Sequence, residues 1–379
     1  MADQVYDSNG QLVDVAHTQN ATDKKCPQCD GVMSFDPASG GLKCPFCGHV
    51  EAVQLATAVN ESDEIITTAQ ELDFGSAEKT ENCNWGVAKK TVICKNCGGE
   101  AVYDALQIAG TCPYCGSQQV MESHDVNTLA PGGVCPFRVS KDQALDLFKK
   151  WIKGKWFAPK KAKESASPEG MNGLYLPYWT FDADTSTEYK AKYGIDKTYT
   201  DSDGDTHTTT DWYNTKGEYS EFIDDYLIMA TSRHNPSVLK DIEPFNTAEN
   251  VIYKPEYVSG FVTERYSLGL KDAWEKAKGF IISRLKDHIS ALIKKEKHAD
   301  HVKDVKMSTE FDNVTYKYLL LPVWSAAYTY EGKVYEFMVN GQTGKVGGKY
   351  PVSVGKVILT ILIVLVCILV CAGFCGLFN

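Results

Sequence analysis

Eight cysteines, placed as two copies of one pattern, constrain the first third of this chain. Cys26, Cys29, Cys44 and Cys47 read C-x2-C-x14-C-x2-C, and Cys94, Cys97, Cys112 and Cys115 repeat that spacing 68 residues later. A CxxC step puts two sulfurs on one tight turn. Two such turns, joined by short strands, complete a tetrahedron of thiolates about 2.3 Å from a zinc ion. The second step is Cys-Pro-Phe-Cys-Gly in one copy and Cys-Pro-Tyr-Cys-Gly in the other, with glycine free to take the positive φ of the turn. "VMSFD" and "GLKC" alternate like small strands. The pattern predicts two zinc ribbons, over 24–52 and 91–122, each with one structural zinc. Redox use of CxxC is the competing reading, and such pairs come singly on a βα unit. Four thiolates leave no open coordination position, so these ions fold the chain and do no chemistry.

The compartment follows from the rest of the sequence. Thirteen cysteines would suggest disulfides outside the cell, but the N-terminus has neither a basic start nor an apolar stretch, so a reducing compartment and metal binding are expected. At the other end, Val357 to Phe378 is a run of 22 uncharged residues with one threonine. As a helix it is about 33 Å long, enough for a bilayer core of about 30 Å. The span 356–378 therefore reads as a transmembrane helix. Lys345, Lys349 and Lys356 precede it, which places the bulk of the chain in the cytoplasm by the positive-inside rule. Cys367, Cys371 and Cys375 share one face of it, as a packing stripe, a lipidation site or small apolar filler.

Charge limits the partners. Residues 1–136 carry seven Lys against eighteen Asp and Glu, a net of −11. Two zinc ions on eight thiolates would make that region more negative still. Nucleic-acid binding needs a basic footprint, so protein binding is the better use of such ribbons. Phe46 and Tyr114 at the knuckle tips are candidate anchors, unless they pack inside their own ribbons.

Residues 1–23 read as a flexible N-terminus. The segment 53–90 reads as a polar linker with one short helix at most, leaving the ribbons free to move independently. From 136 to 350 the pattern changes. Ser140 is a candidate N-cap for a helix with Ala144, Leu147, Phe148, Trp151 and Ile152 on one face, followed by a basic loop and a β-like run "GLYLPYWTFDAD". The order then repeats: a long helix with Ala273, Trp274, Ala277, Phe280, Ile281, Leu285 and Ile289 on its apolar face, then "LLLPVWSAAYTYEGKVYEFMVNG" with a hairpin at Glu331-Gly332. Leu176-Pro177-Tyr178-Trp179 matches Leu321-Pro322-Val323-Trp324. This predicts a pseudo-repeated domain of helix on antiparallel sheet, with the prolines on edges or bulges and Trp151, Trp156, Trp179, Trp274 and Trp324 in the core. The expected fold class is multi-domain α+β.

Catalytic signals are weak. "DSDGDTH" at 201–207 imitates a calcium loop but has Trp212 where the twelfth-position acid belongs, so it reads as a hairpin tip. "TSRHN" at 231–235 has no nucleophile at a diagnostic spacing, and no P-loop occurs. Cys83 and Cys135 read as free thiols. The order of two ribbons, "PFRVSKDQAL", "LYLPYWTFDAD", "YVSGFVTERYSLGLKDAWEKAK", "LLLPVWSAAYTYEGKVYEFMVNGQTGKVGG" and a membrane helix resembles bacterial TFIIB-type zinc-ribbon membrane proteins. That resemblance implies an envelope-stress module in which the protein recruits phage-shock A or SPFH/virion-core-like partners. It carries over the eight ribbon cysteines and no catalytic residue. The expected function is a non-enzymatic membrane-anchored adaptor at the inner membrane. A membrane-tethered nucleic-acid or transcription-related protein is the rival, and an enzymatic α+β domain is the weakest of the three.

Overall fold

The computed structural model describes residues 5–6, 12–13, 25–31, 33–59, 64–79, 89–94, 100–104, 120–122, 131–166, 168–202, 204–231, 234–264 and 266–376. In chain order, β1 (Ser34–Asp36), β2 (Gly41–Lys43) and β3 (Val50–Ala52) make a small antiparallel sheet. β4 (Leu72–Asp73) follows, then β5 (Lys89–Cys94), β6 (Glu100–Asp104) and β7 (Val120–Glu122), paired in the order β7-β5-β6. The larger unit opens with β8 (Gly133–Val134), α1 (Lys141–Gly154), α2 (Lys160–Ser165), β9 (Glu169–Thr200) and β10 (Thr206–Met229). It continues with α3 (Pro236–Ile242), α4 (Pro255–Val258), β11 (Val262–Thr263) and α5 (Leu270–Lys297). It ends with β12 (His301–Tyr330), β13 (Lys333–Asn340), β14 (Val346–Gly348) and the apolar α6 (Val354–Gly376). The class is α+β.

The repeated motif lies at the centre of the large sheet. β9 and β12 pair antiparallel with Leu176 opposite Leu321, which are the same position in the two copies. That pair therefore marks a pseudo-twofold axis. β11 runs parallel to β9 at Leu174 and Tyr175, and β8 runs parallel to β12 at Leu319 and Leu320. Trp179 Nε1 donates to the Leu268 carbonyl at 2.9 Å, and Trp324 Nε1 donates to the Val139 carbonyl at 2.8 Å. Each indole thus ties down the turn that precedes the other copy's helix. The two copies are interleaved, not merely adjacent.

The centre is buried on both faces, which explains the unbroken apolar run in each strand. Tyr175, Trp179, Phe181, Tyr316 and Leu320 lie on one side with α1 and α5. Leu174, Leu176, Tyr178, Leu319, Leu321 and Val323 lie on the other with Val238, Leu239 and Ile242 of α3. Both prolines are in central strands, contrary to the edge or bulge their presence predicts. The reason is a break between partners: β11 ends opposite Tyr175 with Thr263, and β10 ends opposite Tyr178 with Met229. Pro177 faces that gap, with its carbonyl accepting from Ala230 N at 2.9 Å, so no ladder bond needs its missing N–H. Pro322 sits the same way, accepting from Gly341 N at 2.8 Å.

Beyond the core, β9, β10 and β12 run on as a three-stranded arm with α5 along one face. Three bulges bend it, each placing two residues opposite one. Their odd residues are Asp225, Asp304 and Asn313, at φ 45°, 56° and 51°. Asp and Asn tolerate this left-handed conformation better than other non-glycine residues. The tip at 201–207 is a hairpin end, with Asp201 Oδ2 2.6 Å from His207 Nε2.

Local expectations hold where local chemistry decides. Ser140 makes a reciprocal capping box with Gln143, and Glu331 and Gly332 turn β12 into β13 at φ 49° and 73°. Two core assignments fail. Phe280 is 58% exposed, because α5 buries a narrow stripe of four-residue steps (Ala277, Ile281, Leu285, Ile289, Ile293) and position 280 falls beside it. Trp156 is 61% exposed, because the α1–α2 turn is drawn to the start of α6. The 53–90 segment is no free linker over 64–79. Leu72 and Asp73 pair with Tyr316 and Thr315 of β12, and Phe74 packs on Phe181, Trp274 and Tyr316.

Candidate metal centre

Each half of the first ribbon is a turn closed by its own backbone. Cys26 N donates to the Gly31 carbonyl at 2.8 Å and Asp30 N to the Cys26 carbonyl at 2.9 Å. In the second half, Cys44 N donates to the His49 carbonyl at 2.8 Å and Gly48 N to the Cys44 carbonyl at 3.0 Å. The residue after each second cysteine has positive φ: Asp30 at 57° and Gly48 at 77°. The turns therefore need no glycine in both copies.

β1 and β2 bring the turns together. Cys26 Sγ lies 3.5 Å from Cys47 Sγ, and Cys29 Sγ lies 3.4 Å from Cys44 Sγ. All four sulfurs lie within 4.8 Å of one another. A zinc–sulfur tetrahedron has edges of about 3.8 Å, so the set fits one ion. The backbone N–H of Cys47, opposed by burial and aided by that of Phe46, holds the Cys44 thiol down at about 6. Cys26 and Cys44 are buried and Cys29 and Cys47 exposed, so the centre lies at the surface with one side sealed. The Phe46 ring covers Gly31, where a Cβ would meet it at 2.6 Å, yet remains 78% exposed.

This ribbon is seated on the large unit. Phe35 N donates to the Ser259 carbonyl at 3.1 Å, Ser259 Oγ donates to the Met33 carbonyl at 3.2 Å, and the Phe35 and Tyr257 rings are 5.7 Å apart. Gly260, at φ 84°, lets Ser34 approach to within 2.8 Å of where its Cβ would be. Of the second four, Cys94 ends β5, and Cys97, Cys112 and Cys115 lie outside the described residues, as do Cys83 and Tyr114. The strands there connect to the large sheet through Val102 opposite Thr263. Cys135 is buried and its thiol is pushed up to about 12 by burial and by Asp225 and Glu249, which makes it inert. Cys367 and Cys371 are exposed on α6, whose stretch Val354–Cys371 has a mean hydropathy of 3.0 and no part buried in the chain. One C-terminal helix is thus long and apolar enough to cross a membrane.

No protein-family model matches the chain, and no solved structure matches it. The chain is similar to the uncharacterized protein YdjG of Bacillus subtilis (strain 168), 29% identical over 340 residues, covering 88% of this chain and 91% of that protein. The likeness spans most of both chains.

A second cluster escaped sequence reasoning. Glu71, Asp182 and Asp225 bring three carboxylates together around Lys317, which is 7% exposed. The Lys317 ammonium pairs with Glu71 and, at 2.7 Å, with Asp225 Oδ1. Asp225 N donates to Asp182 Oδ1 at 2.6 Å. Burial pushes the Asp182 carboxyl up to about 6, against the Asp225 N–H. Burial pulls the Lys317 ammonium down, but Asp225 and Glu71 outweigh it and leave it raised. The cluster clips 64–79 to the sheet. The one available sign was a lysine inside the apolar run "YKYLLLPVW". At "TSRHN", His234 Nε2 lies 2.9 Å from the buried Glu264 carboxylate, which also accepts from Thr231 Oγ1 at 2.5 Å. This ties the end of β10 to β11.

Proposed function

We propose that the chain is a membrane-anchored adaptor. α6 fixes it to the bacterial inner membrane with the bulk in the cytoplasm, and the zinc-ribbon head recruits or scaffolds cytoplasmic proteins there. The resemblance to TFIIB-type zinc-ribbon membrane proteins names the partners as SPFH or phage-shock A types and the setting as envelope stress. The observation that carries the reading is the closed four-thiol centre with Phe46 presented 78% exposed at its tip. A closed zinc offers no chemistry, so the output of the ribbon is its surface. An exposed aromatic on a rigid, metal-fixed knuckle suits a protein interface. The net of −11 over residues 1–136 opposes a phosphate backbone and favours a basic partner surface. Two zinc ions per chain belong to this reading, one for Cys26, Cys29, Cys44 and Cys47 and one for Cys94, Cys97, Cys112 and Cys115.

The test is affinity capture of the full chain from native membranes, with mass spectrometry and zinc analysis. SPFH or phage-shock A proteins should co-purify, and Phe46→Ala should reduce their recovery without changing zinc content. Cys44→Ser with Cys47→Ser should lower zinc from two ions to one. DNA binding at micromolar affinity that weakens steeply with salt would replace the adaptor by its nucleic-acid rival.

A further inference from the structure

The turn between α1 and α2 is bonded to the start of α6. Ser353 N donates to the Phe157 carbonyl at 2.8 Å. Lys356 Nζ donates to the carbonyls of Trp156 at 3.0 Å and Ala158 at 2.8 Å. Trp156 Nε1 donates to Thr360 Oγ1 at 3.3 Å, one turn further into the apolar helix. The base of α6 is therefore bonded along one side to a segment about 200 residues earlier in the chain, which forms a partial collar there.

The chemistry of that collar is one-sided. Residues 149–163 contain seven lysines and no acidic residue. Lys153, Lys160 and Lys161 are exposed, and Lys155 lies over the rings of Trp151 and Tyr350 at 4.6 and 5.3 Å. Among the described residues the ion pairs of this stretch are two loose intrahelical ones, Lys149–Asp146 at 3.6 Å and Lys160–Glu164 at 3.9 Å. The chain thus gathers seven cations and pairs two of them, at the end of α6 where a spanning helix would enter the headgroup layer. An exposed tryptophan at the same level suits the membrane interface, where its ring and N–H are each satisfied.

We propose that the α1–α2 turn is a lipid-facing collar that binds anionic phospholipid headgroups around the entry point of α6. It rests on reading α6 as a membrane-spanning helix. Lysine clusters beside a span attract anionic lipid over about one Debye length, roughly 8–10 Å, and Lys356 at the base of α6 brings the collar within that reach. The bilayer is the occupant because the cationic turn is bonded to the first turns of α6 at Lys356 and Thr360, so a membrane that holds α6 lies directly beside it.

The full chain, reconstituted into vesicles of phosphatidylcholine alone or mixed with phosphatidylglycerol, is treated with a water-soluble lysine acylating reagent and mapped by mass spectrometry. Labelling of Lys153, Lys160 and Lys161 should fall several-fold when phosphatidylglycerol is present and recover in high salt. Lys190, Lys216 and Lys306 on the arm should label equally in both, since Lys306 lies 22 positions along β12 from Tyr328, which packs on Phe148 of α1 at 5.6 Å. Equal labelling of the collar in both lipids, with the chain retained in the vesicles, overturns the collar alone. Release of the chain by alkaline carbonate overturns the membrane-spanning reading and the collar with it.

Discussion

Near the axis the two copies of the domain agree closely. Trp179 faces Ile228 across β9 and β10 as Trp324 faces Val339 across β12 and β13, and the lead-in strands β8 and β11 take matching places. Further out they part. The first copy bulges after Phe181, at Asp225, and runs on into an arm, whereas the second continues from Ala326 straight into its Glu331-Gly332 turn. Their helices differ twofold, 14 residues in α1 and 28 in α5. Because the copies are interleaved, the long helix of the second supports the arm of the first. The short helix ends early and leaves its turn free to hold α6. Symmetry is kept where both copies share one core and given up where each meets something different.

The largest break in this comparison should come from the two indoles. Trp179→Ala and Trp324→Ala should each destabilise the detergent-solubilised chain by roughly 3–5 kcal/mol in chemical unfolding, since each empties a buried site and orphans a carbonyl. A loss confined to one of them would mean that the axis is not shared structurally.

Asp182 corresponds to Ala327 in the other copy, so its charge belongs to the bulged half alone. Its carboxyl is raised to about 6 in the fold, against about 4 when unfolded. Between those values the folded chain takes up a proton that the unfolded chain does not. This residue therefore adds stability as pH falls from about 6 to 4, with a slope of at most about 1.4 kcal/mol per pH unit. Asp182→Asn should remove that slope from a pH series of unfolding curves.

Phe74 packs on Phe181 of the first copy, whose counterpart in the second copy is Ala326. Phe74→Ala should cost roughly 2 kcal/mol, less than a fully buried ring, and raise hydrogen exchange over 64–79 while zinc content stays the same.

The smallest effect separates the helix starts. Ser140 caps α1, while Gly269 at the matching position before α5 makes no side-chain bond. Ser140→Ala should cost about 1 kcal/mol. Gly269→Ser should gain a few tenths, because a Cβ there meets nothing within 4 Å. Thermal unfolding of the two variants side by side checks both signs.

Much was legible in the chain itself because it depends on a few neighbouring residues. The ligand set Cys26, Cys29, Cys44 and Cys47, the Ser140 cap, the Glu331-Gly332 turn and the apolar α6 follow from spacing, side-chain hydrogen bonding and φ preference. The repeat at Leu176 and Leu321 also announced two related units. The tertiary structure alone decided that these units interleave, that Pro177 and Pro322 fall in gaps between partner strands, and that 64–79 is clipped down by Lys317. It also decided that Trp156 leaves the core for the base of α6. Those outcomes depend on pairings between residues up to about 250 positions apart, such as Glu71 with Lys317. No local periodicity records which distant strand or charge will arrive opposite a given side chain.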